Sequence, residues 1–125
     1  MKTVISTPNA PGAIGPYSQA VKVGALLFLS GQLGIDPATG AITGGVAAQT
    51  KQALTNAKAI LEAAGSAMDK VIKTTVFLSD IGNFATMNEI YGTFFTEGSY
   101  PARSAFEVAA LPKGGLVEIE LVAEA

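Results

Sequence analysis

Val117-Glu118-Ile119-Glu120-Leu121-Val122-Ala123-Glu124 alternates apolar and mostly acidic residues along its length. A period of two puts successive side chains on opposite faces, so a strand is expected near Leu116 to Ala123, with Val117, Ile119, Leu121 and Ala123 sharing one side, and Glu118, Glu120, Val122 and Glu124 the other. The apolar side needs a cover, and the chain upstream supplies candidates. Ala102 to Ala109 reads as a further strand, in which Ser104, Phe106 and Val108 oppose Arg103, Ala105 and Glu107. Before it, Asn83 can cap a helix carrying Phe84, Met87, Tyr91, Phe94 and Phe95 on one face. Lys70 to Leu78 is rich in β-branched residues and reads as a strand. Val46, Thr50, Ala53, Leu54, Ala57, Ile60, Leu61 and Ala64 fall at helical spacing, with Gly65 as the stop.

Towards the amino terminus, Ser18 to Val23 is strand-like, Gly24 makes a turn, and Ala25-Leu26-Leu27-Phe28-Leu29-Ser30 is an apolar run ending at Gly31. This is a hairpin whose second strand is expected to be buried on both faces. Asp36-Pro37-Ala38-Thr39-Gly40 carries turn chemistry. A hairpin, a helix, a strand, a helix and two strands predict an α+β fold, a mixed β-sheet with two helices packed on one face. With Phe106 and Ile119 turned towards the helices, Arg103 and Glu118 are both expected to project from the helix-free face.

The 125 residues show no repeat, linker or low-complexity tract and read as a single domain, 1–125. Cysteine and histidine are both absent. That removes the usual zinc sites, thiol nucleophiles, Ser-His-Asp triads and imidazole bases, leaving Asp, Glu, Lys, Tyr or water for proton chemistry. The net charge of -2 and scattered lysines disfavour nucleic-acid binding. Pro8 interrupts a short apolar start, and no stretch approaches the ~20 apolar residues of a membrane span, so a cytoplasmic protein that engages no membrane is expected. Lys113-Gly114-Gly115, Gly44-Gly45 and Gly12-x-x-Gly15 lack the spacing of phosphate or dinucleotide loops, so no cofactor is expected. Hydrophobic residues form 49% of the chain and charged residues 14%, against roughly 25% charged in an ordinary soluble domain. Burial of a further face against copies of the same chain would account for the shortfall.

Arg103 is the only arginine, set in a strand after Pro101. A guanidinium fork matches a carboxylate in a way that lysine does not, which makes Arg103 a candidate anchor for a carboxylate ligand. Structural pairing with Glu118 or Glu120 is the alternative, and the residues alone do not choose between them. Glu118 could orient or deprotonate a water, or serve as a counter-ion or an exposed strand carboxylate. Tyr17, after Gly15-Pro16, could hydrogen-bond a ligand or cover the edge of the core. Ser30-Gly31 could bring a backbone amide close to a ligand or form a plain turn. Asn88 lies one step from the aromatic stripe, where a helix residue is ordinarily solvated.

Pro101-Ala102-Arg103-Ser104-Ala105-Phe106-Glu107-Val108-Ala109-Ala110-Leu111-Pro112, leading into Val117-Glu118-Ile119-Glu120, resembles the signature of the RidA (YjgF) family. Ala13-Ile14-Gly15-Pro16-Tyr17-Ser18-Gln19-Ala20, Leu29-Ser30-Gly31-Gln32 and Val71-Ile72-Lys73-Thr74-Thr75-Val76-Phe77-Leu78 resemble further blocks of that family, so the likeness spans essentially the whole chain. The resemblance implies a chorismate-mutase-like fold assembled as a homotrimer, with sheets packed into a central barrel and ligand clefts between subunits. It also implies cofactor-independent hydrolysis of 2-aminoacrylate, 2-iminopropanoate and related enamine/imine intermediates to 2-keto acids and ammonia. Carried over, Arg103 would grip the substrate carboxylate and Glu118 would position the attacking water. Backbone groups at Gly31 and Ala105 would contact the ligand, and Tyr17, Ser30 and Asn88 would line the cleft. Many similar proteins carry Cys where this chain has Ala105, which puts any thiol-dependent role in doubt here. A non-catalytic module binding 2-keto acids, a nuclease and a purely structural oligomer are the competing readings.

Overall fold

The computed structural model describes all 125 residues. Six strands form one sheet: β1 (Thr3–Ile5), β2 (Ala20–Val23), β3 (Leu26–Leu33), β4 (Val71–Leu78), β5 (Ala102–Glu107) and β6 (Val117–Glu124). Helix α1 (Val46–Ala63) precedes β4, and α2 (Phe84–Gly92) links β4 to β5. The spatial order is β1-β2-β3-β6-β4-β5. Only β4 and β5 run parallel, and α2 supplies the crossover that a parallel pair requires. The alternating stretch that opened the sequence reading is β6, inserted between β3 and β4. Its apolar side chains are buried, Val117, Ile119 and Ala123 being at 0% exposure. Strand β1 was not anticipated, since three residues are too few to display a period.

Both helices lie on one face, as expected from the element order. Ile60 and Leu61 of α1 pack with Leu27, Leu29 and Leu121 of the sheet, and Leu54 of α1 and Met87 of α2 with Val76, Leu78 and Ile119. Burying each such side chain contributes about 1.5–3 kcal/mol. The stripe from Val46 to Leu61 is buried as its spacing predicts, and Gly65, with φ +80°, ends the helix. Two buried polar residues of α1 escaped the periodicity. Asn56 donates from Nδ2 to the Leu33 and Ile35 carbonyls at 3.2 and 2.9 Å. Gln49 Oε1 accepts from the Leu116 amide at 2.8 Å. They satisfy backbone groups where β3 ends and just before β6 begins, groups that would otherwise be buried without partners. Asn83 occupies the cap position of α2 without a side-chain cap bond; Asp80 Oδ1 instead accepts from the Gly82 amide at 2.8 Å.

The other face of the sheet is open, and two expectations fail there. Strand β3 is not buried on both sides: Leu27 and Leu29 point into the core, while Leu26 and Phe28 stand 37% and 46% exposed, because helices cover one face only. Strand β5 has the opposite phase to the one expected. Arg103 and Ala105 register with Thr74 and Val76 of β4, whose side chains are buried on the helix side. Phe106 points out from the open face and meets Phe77 edge-on, with ring centroids 5.4 Å apart. A shift of one residue reverses every side chain of a strand, and the large aromatic proved a poor guide to which face was inward. Arg103 and Glu118 therefore lie on opposite faces of the sheet.

Candidate active site

Glu118 sits where β3 departs from regular pairing. Leu29 pairs with Leu121, but Gln32 pairs with Ile119, so one extra residue is accommodated at Ser30-Gly31. Such a bulge bends the strand and re-aims its side chains. Ser30 is fixed by its hydroxyl, which donates to the Ser18 carbonyl at 2.6 Å, and by its amide, which donates to the Gln19 carbonyl at 2.9 Å. A Cβ at Gly31 would stand 2.9 Å from Cδ and 3.0 Å from Oε2 of Glu118. Glycine thus lets the carboxylate lie directly on the strand backbone. Burial raises the pKa of Glu118, and the charge of Glu120 raises it further.

A cavity of about 530 Å³ opens over this carboxylate, with Tyr17, Ser30, Gly31, Glu118 and Glu120 in its wall. The amino-terminal loop that forms one side is held by Gln19, which is buried. Its Oε1 accepts from the Thr7 amide at 2.7 Å, and its Nε2 donates to the Pro11 carbonyl at 2.8 Å and the Thr7 carbonyl at 3.1 Å. Tyr17 is exposed and accepts from the Ile14 amide at 3.4 Å.

Arg103 belongs to a different cleft, of about 400 Å³, lined by Asn88, Tyr91, Gly92, Tyr100, Pro101 and Arg103. Its Nη1 donates to Asn88 Oδ1 at 2.6 Å. The guanidinium carbon lies 4.9 Å from the Tyr91 ring centroid and 5.4 Å from that of Phe84. The sheet separates Arg103 from Glu118 and Glu120 of the same chain, so the structural pairing considered from sequence is not made within the chain. Asn88, expected to be solvated, is half-buried and takes part in holding the arginine.

The family model for endoribonuclease L-PSP matches residues 7–125. The chain belongs to this family. A curated relative from Bos taurus, named 2-iminobutanoate/2-iminopropanoate deaminase, is 56% identical over 98% of this chain and 90% of its own length. Among solved structures, the Yersinia pestis protein YyfA, described as of unknown function in the conserved Rid protein family, superimposes with a TM-score of 0.97 at 48% identity, covering 100% of both chains. E. coli TdcF with bound serine superimposes with a TM-score of 0.93 at 45% identity, covering 98% of both chains.

Within this member of the endoribonuclease L-PSP family the expected site residues fall into two groups. Tyr17, Ser30, Gly31 and Glu118 line one cavity; Asn88 and Arg103 line the other. Ala105, two residues along β5 from Arg103, is half-buried and borders neither. Ser30 already donates its hydroxyl proton to Ser18, so towards a ligand it offers lone pairs and can accept from an N–H. Sequence reasoning passed over Gln19, Thr74 and the site role of Phe84 and Tyr91. For the last two a signal existed: Phe84, Asn88 and Tyr91 are spaced i, i+4 and i+7, which places them on one helical stripe.

Proposed function

We propose that this protein is a 2-iminobutanoate/2-iminopropanoate deaminase, hydrolysing these imines and the enamine 2-aminoacrylate to 2-keto acids and ammonia in the cytoplasm. The observation that carries the reading is the 56% identity to the bovine deaminase across 98% of the chain. The reading takes two copies to lie side by side. The Arg103 cleft of one copy and the Glu118 cavity of its neighbour then form a single site, the copies being arranged as a homotrimer through the open faces of their sheets. Exposed Leu26, Phe28 and Phe106 on those faces favour such an assembly.

In this site Arg103 holds the substrate carboxylate through the free part of its fork. The main chain of Gly31 borders the imine, Tyr17, Ser30 and Asn88 complete the wall, and the main chain of Ala105, outside both cavities of the single chain, would reach the ligand only where the two copies meet. Glu118 orients a water towards the imine carbon and takes its proton as the C–O bond forms. That proton passes to nitrogen to give the carbinolamine, whose hydroxyl proton is then taken by Glu118 and delivered to the same nitrogen as the C–N bond breaks, so that ammonia departs and the 2-keto acid forms. The enamine 2-aminoacrylate enters the step as its imine tautomer, a proton having moved from nitrogen to the methylene carbon. Water is the only co-reactant. Imines hydrolyse unaided, so positioning and a preorganised charge are sufficient contributions from the protein.

The test is 2-keto acid release from 2-aminoacrylate generated in situ by a serine or threonine dehydratase, comparing wild type with Arg103→Ala of the same oligomeric state. Acceleration by wild type alone supports the reading. If neither protein exceeds the spontaneous rate, a non-catalytic metabolite-binding role takes its place, which serine bound to TdcF makes the natural second reading. RNA cleavage suits the cavity poorly, because a phosphate backbone would meet Glu118 and Glu120 there.

A further inference from the structure

Phe84, Asn88 and Tyr91 form one stripe of α2, and Arg103 lies across it. Tyr91 is buried and itself pinned, its hydroxyl 2.6 Å from Thr74 Oγ1. Thr74 is in turn the register partner of Arg103 across β4 and β5. The contacts close a ring, from β5 through the guanidinium to α2, through the Tyr91 hydroxyl to β4, and back across the strand pair. All the groups that touch the guanidinium here are neutral. A carboxylate partner would neutralise the charge a substrate needs, whereas aromatic faces attract a cation without cancelling it. Burial raises the pKa of Tyr91 despite the opposing effects of Thr74 and Arg103, so the phenol stays uncharged.

We propose that Phe84 and Tyr91 are positioning residues, an aromatic seat that fixes the Arg103 guanidinium before a carboxylate arrives and leaves its outer edge charged and free. The inference rests on Arg103 being the carboxylate anchor. A free arginine side chain samples many rotamers, and a seated one has surrendered much of that freedom before binding. The Tyr91 ring matters to the seat directly, and its hydroxyl matters by holding the ring to β4.

Arg103 is the only arginine, so its Nε–Hε NMR signal is unique and needs no separation from others. The {¹H}-¹⁵N NOE of that signal, together with the Kd for 2-ketobutyrate, tests the seat in wild type, Phe84→Leu, Phe84→Tyr, Tyr91→Phe and Arg103→Ala. Phe84 is partly exposed, so its variants are expected to fold. Phe84→Leu should lower the NOE to that of a mobile side chain and weaken 2-ketobutyrate binding about 2- to 30-fold. Phe84→Tyr should restore both, and Tyr91→Phe, which keeps the ring but frees it from Thr74, should weaken binding by less than Phe84→Leu does. A wild-type NOE and Kd in Phe84→Leu would overturn the seat. Unchanged affinity in Arg103→Ala would overturn the anchor and the seat's purpose with it, while the NOE would still report whether the arginine is held.

Discussion

Glu118 lies so close to the backbone of Gly31 that a methyl group there would be 2.9 Å from its carboxyl carbon. The bulge at Ser30-Gly31 and the missing side chain together make the bed on which the carboxylate rests. Gly31→Ala is therefore expected to push Glu118 off its position while leaving the Arg103 cleft intact. Loss of a correctly placed base costs about 10²-fold or more in kcat. Steady-state imine hydrolysis, measured beside the Kd for 2-ketobutyrate, checks this; kcat retained within a factor of about three would show that the placement of Glu118 does not matter.

The raised pKa of Glu118 gives a pH dependence of definite sign. As the proposed base, Glu118 would work in its ionised form, so kcat/KM should rise with pH through a limb lying above the ordinary glutamate value of 4.5. Burial is the larger cause of the shift and Glu120 the second. Glu120→Gln removes the second cause, and the limb should move to lower pH. Stability runs the other way: the folded state holds the Glu118 proton more tightly than the unfolded chain, so this residue's contribution declines as pH rises from the unfolded pKa through the folded one. Glu118→Gln should accordingly gain stability relative to wild type as pH is raised across that window. Urea unfolding at a series of pH values, beside the pH–rate profile of Glu120→Gln, decides both; a limb unmoved by Glu120→Gln counts against the assignment.

What the sequence disclosed and what it concealed divide along physical lines. Strand β6 and helix α1 were legible because their periods run for eight and 18 residues. The three-residue β1 left no such trace. The phase of β5 was misread because Ala102 to Glu107 alternates without a clear apolar side: Arg103 and Ala105 on one face oppose Ser104 and Phe106 on the other. Only the parallel register with β4 fixes which side is inward. That misreading hid the division of the site, placing Arg103 beside Glu118 when a sheet stands between them. Gln19 was invisible for a different reason, since a single buried amide that satisfies a loop backbone has no pattern in sequence.

Gln19 makes its own prediction. Its amide group serves the Thr7 amide and the Thr7 and Pro11 carbonyls, and Gln19→Leu would leave those groups with no partner in a buried setting. Leaving one such group unsatisfied costs about 1–3 kcal/mol, and together the losses should lower the midpoint of urea unfolding clearly. The loop they anchor carries Tyr17 into the wall of the Glu118 cavity, so KM should rise along with the loss of stability. An unfolding midpoint equal to that of wild type would mean that water replaces the amide without penalty.

The separation of Arg103 and Glu118 leads to the sharpest expectation. A site shared between copies can be rebuilt from two inactive proteins, because each defective chain still carries the half that the other lacks. Arg103→Ala and Glu118→Gln, each inactive alone, are mixed, dissociated in mild denaturant and allowed to reassemble. With random association, a given site receives its arginine from a Glu118→Gln chain half of the time and its glutamate from an Arg103→Ala chain half of the time, so about one quarter of wild-type activity should return. A site contained within one chain would gain nothing, since every site would keep one defect. A Phe28→Lys chain, charged on the open face of the sheet where Phe28 is 46% exposed, should fail to associate and should stay inactive although both Arg103 and Glu118 are present. Recovery near one quarter in the mixture, with none in a control mixed but never dissociated, would assign the two halves to different copies; no recovery after proven exchange would return the site to a single chain.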